Sequence, residues 1–71
     1  MKKHTLGSKL SWCRELAGIT RAELADAVGV CIPTIWRWEN DKVSISLQSL
    51  KRLAAAMEIS IDDLVGGTDD I

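Results

Sequence analysis

The stretch TRAELADAVGVCIPTIWRWEND, residues 20–41, is the part of the sequence that decides how this 71-residue chain folds. Thr20 followed by Glu23 has the spacing of a capping box, in which two side chains bond each other's backbone N–H groups at the start of a helix. Gly29 can adopt the positive φ that ends a helix. Pro33 suits the first turn of the next helix, where its missing N–H is not needed. The stretch therefore predicts two short helices joined by a tight turn.

Two short helices cross closely around such a turn when the first has a small residue and both are apolar on the inside. Ala25 is the small residue, and Gly29 forms the turn. The apolar positions that share the inner side are Leu24, Val28, Val30, Ile35 and Trp38. Because seven positions with a steric reason agree within one stretch, we predict a helix-turn-helix from about Thr20 to Asn40.

The composition of the whole chain also favours helices over strands, because it has many Leu and Ala residues, one proline and no Phe or Tyr. Before the central stretch, a helix that ends at Gly18 has four residues on one face: Leu6, Leu10, Arg14 and Ala17. After a loop over residues 41–46, a fourth helix has its inward residues at helical spacing: Leu47, Leu50, Leu53, Ala54 and Met57.

A second capping box, Ser60 with Asp63, predicts a short fifth helix that ends at Gly66–Gly67. We thus expect one all-α domain over residues 6–66. A flexible N-terminus over residues 1–5 and a mobile tail over residues 67–71 are expected to flank it.

The composition argues against several other kinds of protein. No apolar run approaches the roughly 18 residues of a membrane span, and the basic start lacks the apolar segment of a secretory signal. Cys13, Cys31 and His4 lack the spacing of a zinc site, so we expect no metal and no other cofactor. No nucleophile–base pair, phosphate-binding glycine loop or carboxylate dyad is apparent. We therefore expect a cytoplasmic protein without enzymatic activity.

Charge is distributed unevenly along the chain, although its net value is −1. Residues 1–52 contain all nine Lys and Arg against five acids, a net of +4, whereas residues 53–71 contain five acids and no base, a net of −5. One side of the domain could therefore face a polyanion. The alternative is an ordinary mixed surface.

These features resemble the Cro and phage-repressor type of helix-turn-helix domain, also called the xenobiotic-response-element type. The resemblance extends from Leu6 to Val65 and includes the opening LG, T-x-x-E-L-A-x-x-x-G-V from Thr20, T-I-x-x-W-E from Thr34, and LKRLAAAMEISIDDL from Leu50. It implies a compact five-helix bundle of the lambda-repressor-like DNA-binding type, with the helix-turn-helix at helices 2 and 3. It also implies sequence-specific binding of double-stranded DNA by a transcriptional repressor that acts as a homodimer.

The chain departs from the family pattern at three positions. Arg21 stands where glutamine is usual, which keeps a donor for phosphate. Cys31 stands where Ser or Thr usually caps the third helix. Asp41 stands where glycine is common, and we expect it to bring a negative charge near the DNA side.

The resemblance implies that the third helix enters the major groove N-terminus first. The predicted base-reading residues lie on its outward side: Cys31, Ile32, Pro33, Trp36 and Arg37. Of these, Arg37 can make a paired hydrogen-bonded contact with guanine O6 and N7, and the apolar ones suit thymine methyl groups. Two alternatives stay open: Ile32 and Pro33 could serve only to pack the helix start, and Trp36 could lie over a neighbouring helix.

Phosphate contacts are predicted at the start of the second helix, where the helix dipole and free N–H groups favour anions. The residues there are Thr20 and Arg21. Three more candidates lie at and after the end of the third helix: Asn40, Lys42 and Ser44.

Arg14 lies on the inner face of helix 1, where an unpaired charge would be costly. The resemblance pairs this position with Glu39. We therefore expect a buried ion pair with a structural role, which locks helix 1 to helix 3.

Trp12 and Leu16 lie on the side of helix 1 opposite Leu10 and are expected to form an outward contact patch for a second copy or another protein. The alternative is that one of the chain's own ends covers them. A patch for another protein would fit a rival function, a protein-interaction or antitoxin-like module of the same fold with weak or no DNA binding. The acidic balance and a third helix poor in hydrogen-bonding groups favour that rival.

Overall fold

Five helices make up most of residues 5–65, the part of the chain that the computed structural model describes. Their bounds are α1 Leu6–Ala17, α2 Arg21–Val28, α3 Ile32–Glu39, α4 Leu47–Ala56 and α5 Ile61–Val65. No strand occurs within that range, so the predicted all-α, five-helix architecture is confirmed. None of these helices has the length and apolarity that crossing a membrane requires. The predicted helix end at Gly66–Gly67 and the predicted tail over residues 67–71 lie outside the described residues, as do residues 1–4 of the predicted flexible N-terminus.

Hydrogen bonds at the helix ends explain where the chain turns. At α2, the Glu23 N–H donates to Thr20 Oγ1 at 3.1 Å and the Thr20 N–H donates to Glu23 Oε1 at 2.8 Å. The predicted capping box is therefore confirmed. Gly18 and Gly29 end α1 and α2 with φ angles of 75° and 86°, a region that glycine enters without steric cost.

Each helix contributes one fully buried side chain to a shared core: Leu10, Leu24, Ile35, Leu53 and Leu64. Burial of one side chain of this size stabilises a fold by roughly 1.5–3 kcal/mol. The other buried apolar residues fill the space around these five: Ala25, Val28, Trp38, Ala54 and Met57. The core that holds α2 and α3 together is therefore the same one that holds the other three helices.

Two residues that the helical spacing places inward are exposed, and the prediction is wrong for both: Ala17 and Leu47. Ala17 is the last residue of α1 and Leu47 is the first residue of α4. Helical spacing gives the direction of a side chain, but not how far along the helix the core extends. Residues at helix ends can therefore point inward and still lie beyond the core.

The start of α1 is tied to the loop that follows α3. Thr5, which the sequence predicts to belong to the N-terminal segment before the domain, caps α1, and its Oγ1 accepts the Ser8 N–H at 3.1 Å. The same hydroxyl donates to Asp41 Oδ2 at 2.6 Å, and the Gly7 N–H donates to Asp41 Oδ1 at 3.0 Å. Both carboxylate oxygens of Asp41 thus bind the first turn of α1, where the helix dipole favours an anion.

Gly7 allows α1 to approach the end of α3. A Cβ atom at this position would lie 2.8 Å from the Glu39 carbonyl oxygen and would also press against the Trp38 carbonyl oxygen. Both contacts are with backbone, which cannot swing aside as a flexible side chain can. The α1–α3 packing therefore depends on the missing side chain at residue 7.

Candidate nucleic-acid interface

The two helices of the predicted helix-turn-helix are joined by a turn that folds back on α2. The Ala25 carbonyl oxygen accepts the N–H groups of both Gly29, at 2.8 Å, and Val30, at 3.0 Å. The Ala25 side chain is buried, as the predicted inner side of the helix-turn-helix requires. The turn thus presents α3 on the surface, with its start close to the end of α2.

The predicted base-reading residues lie together on the exposed side of α3 and at its start. All five are exposed: Cys31, Ile32, Pro33, Trp36 and Arg37. The opposite side of the same helix is buried through Ile35, Trp38 and Glu39. Trp36 is 45% exposed, so part of its surface is accessible to a partner. The contact of these residues with bases stays a prediction.

The start of α3 differs from the start of α2. Within the described residues, the Cys31 side chain makes no capping hydrogen bond, and its Sγ lies 3.1 Å from Thr34 Oγ1. Hydrogen bonding with Thr34 lowers the pKa of the exposed Cys31 thiol, and Arg37 acts in the same direction. Burial, by contrast, raises the pKa of the Cys13 thiol. Because Pro33 has no N–H, the first turn of α3 has one backbone donor fewer than another residue at this position would give it.

The predicted phosphate-contacting residues form two groups, one before α3 in the sequence and one after it. Thr20 and Arg21 are at the start of α2, where Thr20 is also the capping residue. Asn40, Lys42 and Ser44 follow α3 and are exposed. The Asn40 side chain donates from Nδ2 to the Trp36 carbonyl oxygen at 2.8 Å. Lys42 is the one cationic residue among these three. Their contact with phosphate also stays a prediction.

A cleft of about 370 Å³ separates the first turn of α1 from the loop after α3. The residues that line it include Leu6, Trp38, Val43, Lys42 and Ser44. Asp41 also lines the cleft and binds the start of α1. The cleft therefore marks the place where the predicted phosphate-contacting loop is fastened to helix 1.

The carboxylate of Glu39 binds two arginines. The expected partner, Arg14, donates from Nε to Glu39 Oε2 at 2.6 Å, and its Nη1 donates to the Ile19 carbonyl oxygen at 2.9 Å. Arg21 donates from Nε to Glu39 Oε1 at 2.8 Å. Sequence reasoning anticipates the contact with Arg14 but misses the one with Arg21. The signal available in the sequence is that Arg21 replaces the glutamine usual at this position.

Trp12 and Leu16 are strongly exposed, at 56% and 69% of their full surfaces. The Lys9 Nζ lies over the Trp12 ring, 4.9 Å from its centroid, which is within the range of a cation–π contact. This face of α1 is therefore apolar with one adjacent cation. Whether a partner binds there stays a prediction.

Comparison with known proteins identifies the family of proteins that this arrangement of helices represents. A family model described as helix-turn-helix, of the Cro/C1 type, matches residues 10–64. The transcriptional repressor RstR of the cryptic phage CTXphi, from Vibrio cholerae serotype O1, is 32% identical over 53 residues. The match covers 75% of this chain and 47% of RstR, so the chain spans about half the length of that curated relative.

Solved structures agree with that class. The P22 c2 repressor in complex with a synthetic operator has a TM-score of 0.79 and 28% identity, over 89% of this chain and 96% of that chain. The DNA-binding domain of the same repressor in solution has a TM-score of 0.84 and 26% identity, over 100% and 95%. The clp gene regulator ClgR from C. glutamicum has a TM-score of 0.81 and 29% identity, over 83% and 77%.

The fold is thus that of a lambda-repressor-like domain. A tight turn joins α2 to α3, and the core shared by the five helices holds α3 with one side exposed. The chain belongs to the helix-turn-helix family of the Cro/C1 type.

Proposed function

We propose that this protein binds double-stranded DNA in a sequence-specific way and regulates transcription as a repressor. The observation that carries the proposal is the exposed side of α3, where one arginine stands among apolar side chains on a helix whose other side is buried. A helix presented in this way fits the major groove of B-form DNA.

Arg37 is assigned the main base-reading role. Its guanidinium can donate two hydrogen bonds to guanine O6 and N7, a contact that distinguishes G·C from the other base pairs. Ile32, Pro33 and Trp36 supply apolar surface for thymine methyl groups, and Cys31 stands beside them at the helix start. Such a surface would read few base pairs, with one strongly specified position.

Backbone phosphates beside the groove are assigned to these two groups of residues. Arg21 and Thr20 would meet one phosphate at the start of α2, where the helix dipole and N–H groups favour it. Lys42, Ser44 and Asn40, which follow α3, would meet the DNA backbone as the second group. These contacts orient the domain on the duplex and carry no sequence information directly.

A homodimer is part of the proposal because one domain of this size reaches few bases. The described part measures 32 × 23 × 22 Å, while half-sites read by dimers are centred roughly 34 Å apart. One copy can therefore occupy one half-site, and two copies related by a two-fold axis would read a palindrome.

The second candidate is a protein-interaction or antitoxin-like module that uses the same fold. It rests on the exposed pair Trp12 and Leu16, because aromatic anchors are enriched where proteins bind each other. A net charge of −1 also favours a protein partner over a polyanion. The two candidates differ in what they predict about salt.

A salt titration of binding to a mixed-sequence duplex separates them, with fluorescence anisotropy as the readout. A DNA-binding regulator loses affinity steeply as salt rises, because binding is driven by the release of counterions from the DNA and that release becomes less favourable at higher salt. Lys42→Ala should then reduce the slope of log K against log salt by about 0.9, the value for one neutralised phosphate. Lys51→Ala, which removes an exposed lysine from α4, is the matched control and should leave the slope unchanged. No binding at low salt would favour the protein-interaction module.

A further inference from the structure

The ion-pair cluster Arg14–Glu39–Arg21 has a buried end and an exposed end. The side chain of Glu39 is 1% exposed and that of Arg14 is 10% exposed, whereas that of Arg21 is 41% exposed. Two cations share one carboxylate, so the cluster carries one excess positive charge. Because Arg21 is its accessible member, that excess charge is presented to solvent at the start of α2.

The geometry of the Arg21–Glu39 contact leaves most of the guanidinium available. A guanidinium has five N–H donors in one plane, and the hydrogen bond to Glu39 Oε1 uses the one on Nε. The Nη groups, which carry the other four donors, are the ones that form paired contacts with phosphate oxygens. Arg21 can therefore hold Glu39 with one edge and a phosphate with another.

We infer that Glu39 is a positioning residue for DNA binding, which acts through Arg21 by holding its guanidinium with the Nη groups directed toward a backbone phosphate. The inference rests on the proposed function, and it adds a role for a residue that cannot itself touch DNA. Glu39 is on α3 and Arg21 is on α2, so the contact also fixes the phosphate-binding guanidinium relative to the base-reading helix.

Two physical effects make such positioning useful. An arginine side chain that is already ordered loses less rotational freedom when it binds than a free one does. The buried carboxylate does not cancel the charge of Arg21, because Arg14 already balances it at 2.6 Å. Glu39 thus orders Arg21 while leaving its attraction for an anion in place.

Nitrogen-15 NMR of the arginine side chains tests the inference without any substitution. In the free protein, the Nε–H signals of Arg14 and Arg21 should both be protected from exchange with water. On addition of a mixed-sequence duplex, the Arg21 Nε–H should persist while rotation about its Cζ–Nη bonds slows. Arg14, which is bound to the same carboxylate and is buried, is the internal control and should not change. If the Arg21 Nε–H signal is lost on binding, Arg21 leaves Glu39 and the inference is wrong.

A double-mutant cycle with Arg21→Ala and Glu39→Gln gives a second measurement, at a temperature where circular dichroism shows each variant folded. Glu39→Gln should weaken DNA binding when Arg21 is present and have little effect in the Arg21→Ala background, with a coupling of about twofold or more. An equal loss in both backgrounds means that Glu39 acts only through the placement of α3, and overturns the inference. A parent protein that shows no salt-dependent binding overturns the proposed function and this inference together, whereas an uncoupled cycle overturns this inference alone.

Discussion

Arg37 differs from the other exposed side chains of α3, because its guanidinium can donate two parallel hydrogen bonds to one base. We expect Arg37→Ala to weaken binding to the best site by about 1–3 kcal/mol and to relax the preference at one base pair. Lys42→Ala, a loss of the same charge in the flanking loop, should instead weaken all sequences about equally. Site selection followed by binding titrations on single-base variants measures both effects. A uniform loss with Arg37→Ala would make Arg37 a backbone contact.

Glu39 is the buried counterion of two arginines, Arg14 and Arg21. We expect Glu39→Gln to lower the free energy of unfolding by about 3–5 kcal/mol, because Arg14 would be left buried without its full counter-charge. Glu15→Gln is the matched control: Glu15 lies 4.0 Å from the same Arg14, but its side chain is 67% exposed. Pairs of that kind contribute roughly 0–1 kcal/mol. Urea denaturation at neutral pH gives both values, and a Glu39→Gln midpoint equal to that of the parent would contradict the structural role.

At the scale of helices, the packing of α1 on α3 rests on Gly7. Alanine normally stabilises a helix interior relative to glycine by roughly 0.5–1 kcal/mol. Here the added Cβ would meet two backbone carbonyl oxygens of α3, and overpacking of this kind costs roughly 1–3 kcal/mol. We therefore expect Gly7→Ala to lower the melting temperature, against the trend of helix propensity.

Ser11→Ala, a substitution in the same helix, is the control for that experiment. It should leave the melting temperature near that of the parent or raise it slightly, because serine is the poorer helix former. A Gly7→Ala protein that melts at or above the parent temperature would show that α1 can shift away from α3 at little cost.

The loop between α3 and α4 is ordered by a contact between elements that are distant in sequence. Asp41 adopts a φ of 58°, which Asp tolerates better than most residues, and its carboxylate binds the first turn of α1. Lys42 follows directly and is held by its own N–H, which donates to the Arg37 carbonyl oxygen at 2.8 Å. The negative charge of Asp41 thus serves to fasten the loop that carries a predicted phosphate contact.

At the scale of the whole molecule, the exposed pair Trp12 and Leu16 lies on a different helix from the predicted base-reading residues. We expect the double variant Trp12→Ser, Leu16→Ser to keep the parent melting temperature, because both side chains are mostly exposed, and to change the oligomeric mass or the binding of a protein partner. Analytical ultracentrifugation with thermal melts measures both. A large fall in melting temperature with unchanged association would mean that the pair stabilises the fold within one chain.

Local chemistry in the sequence determined the helix ends and the inner faces of α2 and α3. The Thr20–Glu23 capping box and the positive φ of Gly29 involve residues a few positions apart, so their hydrogen bonds and torsion angles depend little on the rest of the chain. The inward direction of Leu24, Ile35 and similar residues follows from helical spacing for the same reason. These features predicted both the five-helix fold and the exposed side of α3.

Contacts between distant residues were decided only by the tertiary structure. Asp41 binds residues 34 and 36 positions away, and Glu39 holds Arg21 across 18 positions; no local pattern predicts such pairs. The exposure of Ala17 and Leu47 likewise depends on where the core ends, which the neighbouring helices set. Helical spacing fixes the direction in which each side chain points. The packing of the five helices decides which distant residue that side chain contacts.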